Sequence, residues 1–243
     1  MSWWVDSSVE DIFPDMKTSA EADGEKINGN WMSKVVKVSS GETSYYVKTY
    51  ASRGRWLKRF LGRSRVRAEW ENQALFHHLD IPAAEVVAYG ESSPGADYQG
   101  VVITREVRGT ADLDALYRAR SSCFFDANWR RAVMSRLAEA TRKLHSFGFV
   151  HNDLKWRNIL VEAGEDPRVY LIDCPLGRKT LGPLLSRGRV KDLACLDKHG
   201  KVQLSRSDRL RFYLSYKGHE RLDTEDKEEI RRVLEFFRGR GQS

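Results

Sequence analysis

The stretch His151-Asn152-Asp153-Leu154-Lys155-Trp156-Arg157-Asn158, followed directly by the apolar run Ile159-Leu160-Val161, decides how the rest of the chain is read. It stands between the helical pattern ANWRRAVMSRLAEATRKLHSFG, with Gly148 as its C-cap, and a short strand. Its polar side chains recur at a useful spacing. Asp153 can accept the proton of an attacking hydroxyl. Lys155, two residues on, can offset charge that develops on a group in transfer. Asn158, five residues after Asp153, offers a neutral oxygen to a hard cation such as magnesium. A polar loop with a satisfied histidine and a capping aspartate has no need of that spacing.

Toward the C-terminus, Val169-Tyr170-Leu171-Ile172-Asp173 places a carboxylate at the end of an apolar strand, twenty residues after Asp153. Alone it reads as a turn residue; beside the first loop it reads as a second oxygen ligand. Pro175 follows closely and fixes its own φ, which argues against a loop that switches between two states. Toward the N-terminus, Lys48 lies in the strand pattern Tyr45-Tyr46-Val47-Lys48-Thr49. A lysine there ordinarily snorkels to solvent. The helix after that strand carries two candidate partners, Glu69 and Glu71, which cannot share a helix face because they are two positions apart. Glu69 is the preferred one.

The Asp, Lys and Asn spacing with a later strand-end Asp is that of a kinase catalytic loop and its metal-binding aspartate. Further pieces are Tyr46-Val47-Lys48, Arg67-Ala68-Glu69-Trp70, Leu79-Asp80-Ile81-Pro82-Ala83 and Val190-Lys191-Asp192-Leu193. With these, the chain from about Trp31 to about Tyr216 resembles the lipopolysaccharide kinase family, the WaaP and Kdo-kinase group. The resemblance implies ATP-dependent phosphorylation of a heptose or Kdo hydroxyl of the lipopolysaccharide inner core, with Mg2+. It implies Asp153 as base with Lys155 beside it, Lys48, Glu69 and Glu106 toward the nucleotide, and Asn158 and Asp173 on the metal. Asp192 would brace the backbone of the catalytic loop.

The departures are informative. Asn152 stands where protein kinases carry arginine, which argues against control by activation-loop phosphorylation. No Gly-x-Gly-x-x-Gly precedes Lys48. No Ala-Pro-Glu comes after Asp173, and about eighteen residues separate Asp173 from Lys191-Asp192, too few for a peptide platform. A sugar or other small acceptor is favoured. The alternatives are a kinase of another small-molecule or protein acceptor, or a binding module of the same fold without turnover. A module without turnover would not need Lys48, Asp153, Lys155, Asn158 and Asp173 together.

The expected fold is α+β and protein-kinase-like: a small β-rich N-lobe and a helical C-lobe. Residues 1–30 read as an N-terminal extension with a short helix over WWVDSSVEDIF, 31–107 as the N-lobe and 108–243 as the C-lobe. Hydrophobic residues make up 41 % of the chain, enough for a sizeable core, and the net charge of +7 favours anionic partners. Seven cations between Arg53 and Arg67 (Arg53, Arg55, Lys58, Arg59, Arg63, Arg65, Arg67) are interleaved with Trp56, Leu57, Phe60 and Leu61. They read either as a solvated connector or as a peripheral contact with an anionic inner membrane. No reader motif accompanies the charge, so nucleic acid is not an expected partner. Three irregularly spaced cysteines, no secretory leader pattern and no run of about 20 apolar residues lead to a cytoplasmic expectation.

Overall fold

The computed structural model describes residues 2–29, 33–52, 63–92 and 98–238. Strands β3 (Ser33–Ser40) and β4 (Thr43–Ser52) form the hairpin that the Val, Tyr and Thr runs predict. Ser40 pairs with Thr43, leaving Gly41 and Glu42 as a two-residue turn. Gly41 takes a φ of 59°, a left-handed value that costs glycine little. With β1 (Ser2–Val5), β2 (Glu25–Gly29), β5 (Val86–Ser92) and β6 (Tyr98–Arg105), they build one antiparallel sheet in the order β1-β5-β6-β4-β3-β2.

Both outer strands of that sheet come from the first thirty residues. The helix expected over WWVDSSVEDIF is instead β1, paired with β5 from Ser2↔Glu91 to Val5↔Ala88, and a 3-10 turn at Ser7–Val9 capped by Asp6. A strand of four residues shows too little alternation to be read from sequence. By pairing with β5, it carries the next residues of the chain onto the sheet. Val9, Phe13 and Met16, the last in helix α1 (Met16–Ala20), bury themselves against Tyr45, Val47, Val87, Ala88, Val101 and Ile103. These residues form the core on one face of the sheet.

Alternation along β4 sends the intervening residues, Tyr46, Lys48 and Tyr50, to the other face. There Tyr50 and Val102 meet Val66 of helix α2 (Arg65–His78), with Trp70 and Tyr89 stacked beside them at 4.4 Å.

The chain divides into two compact units, Met1–Leu75 with Ala83–Arg108, and Phe76–Pro82 with Gly109–Ser243. The end of α2 and the turn after it thus belong with the second unit. The physical reason is contact: Phe76 packs edge-on to Phe149 and flat against His151, and the Pro82 carbonyl accepts from the Leu171 amide at 2.9 Å.

The second unit is mostly helical. Helices α3 (Leu113–Arg118) and α4 (Ser122–Phe125) lead to α5 (Ala127–Ser146), which Asp126 caps and which Gly148 closes at a φ of 80°. Short strands β7 (Thr110–Asp112), β9 (Ile159–Glu162) and β10 (Val169–Leu171) form a three-stranded sheet; β8 (Phe149–Val150) pairs with β11 (Arg178–Lys179). Helices α6 (Gly182–Gln203), α7 (Arg206–Lys217) and α8 (Thr224–Glu235) complete the unit. No helix among the described residues is long and apolar enough to cross a membrane.

Candidate active site

In the first unit, Lys48 on β4 extends its ammonium to 3.2 Å from Glu69 Oε1 on α2. The pair is largely buried, and the Tyr50 hydroxyl donates to Glu69 Oε2 at 2.5 Å. Glu69 is therefore the partner of Lys48. Glu71 faces elsewhere and takes Arg63 at 2.8 Å and Arg67 at 2.7 Å. Burial pushes the Glu71 carboxyl up, but the hydrogen bonds and charges of those two guanidiniums win and hold it low. Sequence reasoning missed Tyr50. Its position two residues after Lys48, on the same strand face, was the available signal. Burial and the Glu69 charge push the Tyr50 phenol well above its ordinary range, so it remains a donor.

Glu106 lies past the end of β6, its amide donating to the Ser44 carbonyl at 2.9 Å. Its carboxylate accepts from Lys37 at 2.6 Å and lies 3.4 Å from the Tyr46 hydroxyl. The Lys37 hydrogen bond is the main reason its carboxyl is held below the usual range. Of the basic segment, residues 53–62 lie outside the described residues, so the membrane reading falls largely there. Arg63 and Arg67 are engaged by Glu71.

In the second unit, the His151–Asn158 loop between β8 and β9 ends in a 3-10 turn over Trp156–Asn158. Asp153 Oδ1 lies 2.5 Å from the Lys155 ammonium. Asn158 is buried and donates through Nδ2 to both the Asp153 carbonyl at 2.9 Å and Asp153 Oδ2 at 3.2 Å. Beneath the loop, the fully buried Asp192 of α6 accepts from the amides of His151 at 2.7 Å and Asn152 at 2.8 Å. The brace expected of Asp192 is thus directly visible. Asn152 takes a φ of 66° and Asp173 a φ of 57°, two of the four described non-glycine residues with positive φ. Such backbone costs about 1–3 kcal/mol each and persists where surroundings over-determine it, commonly at functional sites.

Asp173 is brought to Asn158 by the Ile172 amide, which donates to the Asn158 carbonyl at 3.1 Å. The segment after it is closely packed: a Cβ on Gly177 would sit 2.4 Å from Cys174 Sγ and 2.5 Å from the Phe149 ring. The missing Phe-Gly of protein kinases is replaced by a tight Cys174–Gly177 turn. A magnesium ion suits this donor set. With its amide nitrogen committed to Asp153, Asn158 has its carbonyl oxygen left as ligand atom, and Asp173 adds a carboxylate; both are the hard oxygen donors that magnesium selects.

His151 is fully buried, stacked on Phe76, and neither ring nitrogen has a hydrogen-bond partner. Burial depresses its pKa, outweighing the nearby Asp192, Asp173 and Asp153 charges. The unfolded chain therefore binds more protons than the folded one below about pH 6.5, and stability rises with pH. This contribution is complete above that value and is lost as pH falls below it. The expected result is a wild-type melting temperature that drops between pH 7 and pH 5 more steeply than that of His151→Phe. Parallel curves would show that His151 is not the titrating group.

A protein-family model described as the lipopolysaccharide kinase (Kdo/WaaP) family matches residues 16–216. A solved structure of WaaP in complex with acyl carrier protein superposes with a TM-score of 0.74 at 22 % identity, over 97 % of this chain and 96 % of that one. The α+β, protein-kinase-like fold expected from sequence is the fold of that structure. A stretch of 79 residues is 37 % identical to a probable bifunctional tRNA threonylcarbamoyladenosine biosynthesis protein of Methanothermobacter thermautotrophicus. It spans 32 % of this chain but only 12 % of that protein.

Proposed function

We propose that this chain, which belongs to the lipopolysaccharide kinase (Kdo/WaaP) family, uses ATP to phosphorylate a heptose or Kdo hydroxyl of the inner core, with Asp153 as base. Family membership makes it a lipopolysaccharide kinase; the sugar acceptor, the donor nucleotide, the metal and the residue roles are inferred. The observation that carries the reading is the catalytic loop: Asp153, Lys155 and Asn158 in mutual contact on a backbone held by Asp192.

In the reaction, an Asp153 carboxylate oxygen takes the proton of the acceptor hydroxyl. The acceptor oxygen bonds to the γ-phosphorus, the bond from phosphorus to the bridging oxygen breaks, and ADP leaves. Lys155, within reach of Asp153, offsets charge on the moving phosphoryl group. Lys48 contacts the nucleotide phosphates, and Glu69 with Tyr50 fixes its side chain in place. Asn158 and Asp173 hold Mg2+, which neutralises phosphate charge when bound.

The test is transfer of labelled γ-phosphate from ATP to purified lipopolysaccharide core by wild-type protein. Core-dependent labelling supports the reading; ATP binding without labelling of any core acceptor overturns it. The two glutamates separate further. Glu69→Gln removes a charged partner worth roughly 1.5–3 kcal/mol, so KM for ATP should rise about tenfold or more. Glu71→Gln should leave it near the wild-type value. Equal effects would remove Glu69 from its assigned role.

A further inference from the structure

Asn152 stands directly before Asp153, and its amide and both polar atoms of its side chain are engaged. The amide donates to Asp192 Oδ1 at 2.8 Å. Nδ2 donates to the Leu176 carbonyl at 3.0 Å, and Oδ1 accepts from the Lys191 ammonium at 3.5 Å. Lys191 and Asp192 are neighbours on α6, whereas Leu176 lies three residues after Asp173, on the segment that leads into β11. One short side chain thus ties together the His151–Asn158 loop, α6 and the segment that carries Asp173.

The residue type suits the place. An ammonium only donates and a backbone carbonyl only accepts, so a group between them must do both. A carboxamide does, and its two partners fix which way it is turned. An aspartate would satisfy Lys191 but set a carboxylate against the Leu176 carbonyl. An arginine, with donors alone, would set a guanidinium beside the Lys191 ammonium. The backbone restricts the choice further: at a φ of 66°, asparagine, aspartate and glycine are accommodated far more readily than bulky residues. Around this contact the segment follows the loop. The Cys174 thiol donates weakly to the His151 carbonyl at 3.7 Å, and Arg178 of β11 pairs with Val150 of β8.

We propose that Asn152 is a positioning residue for phosphoryl transfer, whose carboxamide clasps the Leu176 carbonyl and so holds Asp173 in fixed register with Asp153. The clasp is permanent and needs no phosphorylation of the segment. This inference rests on the reading of Asp153 as base and Asp173 as metal ligand. Asn152 acts only through them.

The experiment is native-state hydrogen exchange, read by mass spectrometry on the full chain, with melting curves and steady-state kinetics on the same samples. The variants are Asn152→Gly, Asn152→Asp and Lys191→Met. Asn152→Gly removes the carboxamide alone, because glycine takes the positive φ at less cost and keeps the amide bond to Asp192. Its melting temperature should stay close to wild type. In both Asn152 variants, amides of residues 174–181 should exchange about tenfold faster, while those of residues 159–171 keep the wild-type rate. Lys191→Met leaves the Leu176 bond in place and should speed the same amides only about threefold. kcat should fall about tenfold in both Asn152 variants with KM for ATP unchanged, a split that simple loss of folded protein does not produce. Unchanged exchange over residues 174–181, or wild-type behaviour of Asn152→Asp, overturns the clasp. Faster exchange with kcat intact overturns the positioning role. If wild-type protein labels no core acceptor, the kinase reading fails and the positioning role fails with it, while the exchange data still decide whether Asn152 holds the segment.

Discussion

Asp153→Ala should lower kcat for core phosphorylation by about 10²–10⁴-fold, the range that a positioned general base contributes, while KM for ATP changes little. The split arises from which groups touch what. Nucleotide phosphates are assigned to Lys48, and the Lys48–Glu69–Tyr50 arrangement makes no use of Asp153. The Asp153 carboxylate has its own surroundings: Lys155 at 2.5 Å, the Asn158 amide at 3.2 Å and Arg157 at 3.8 Å. Lys155 and Arg157 are exposed enough to be solvated when the carboxylate is removed, so the fold should tolerate the change. Asp153→Asn sharpens the test, because it keeps the side-chain shape and loses only the basic oxygen. Steady-state kinetics on both variants, with melting curves as controls, decide it. A variant that retains more than a tenth of wild-type kcat would show that the acceptor proton leaves without Asp153.

What the sequence made legible was chemistry at fixed spacing. The Asp153–Asn158 loop and the Asp173 strand end are local patterns, and the β9–β10 hairpin sets them side by side. The hairpin around Gly41 was legible for the same reason. Long-range pairing was not. Nothing in Ser2–Val5 says that it will pair with a strand almost ninety residues away, and β2 is exposed along its length with no alternation to announce it. The choice between Glu69 and Glu71 depended on which face of α2 meets β4, a packing fact. Arg63 and Arg67, read from sequence within a basic connector or membrane-contact segment, turn out to answer it by occupying Glu71. Tyr50, His145 and Tyr216 escaped notice because aromatic and histidine residues at helical or strand spacing are ordinary core. Only the partners they meet give them a role.

Removing the brace beneath the loop is the second large effect. Asp192→Ala is expected to destabilise the protein by about 3–5 kcal/mol, as breaking a buried charged network does, and to lower the melting temperature by roughly 10 °C. The Asp192 carboxylate is fully buried and serves three donors: the amides of His151 and Asn152, and His145 Nε2 at 3.3 Å. Truncation leaves those groups unpaired, the His151 amide and His145 in the buried interior and the Asn152 amide half-buried, at a cost of about 1–3 kcal/mol for each buried group. Asn152 is the residue held at positive φ, so its release frees strained backbone immediately before Asp153. The kcat loss should therefore exceed what the unfolded fraction explains, and it should persist at a temperature well below both melting points. Farther out, His145 Nδ1 meets the Tyr216 hydroxyl at 2.8 Å, with the two rings edge to face. Tyr216→Phe removes only that last hydrogen bond and should cost about 1 kcal/mol with kcat nearly intact. If Asp192→Ala instead lost stability but kept its kcat per folded molecule, the loop geometry would have to be set by Asn158 and the β9–β10 hairpin alone.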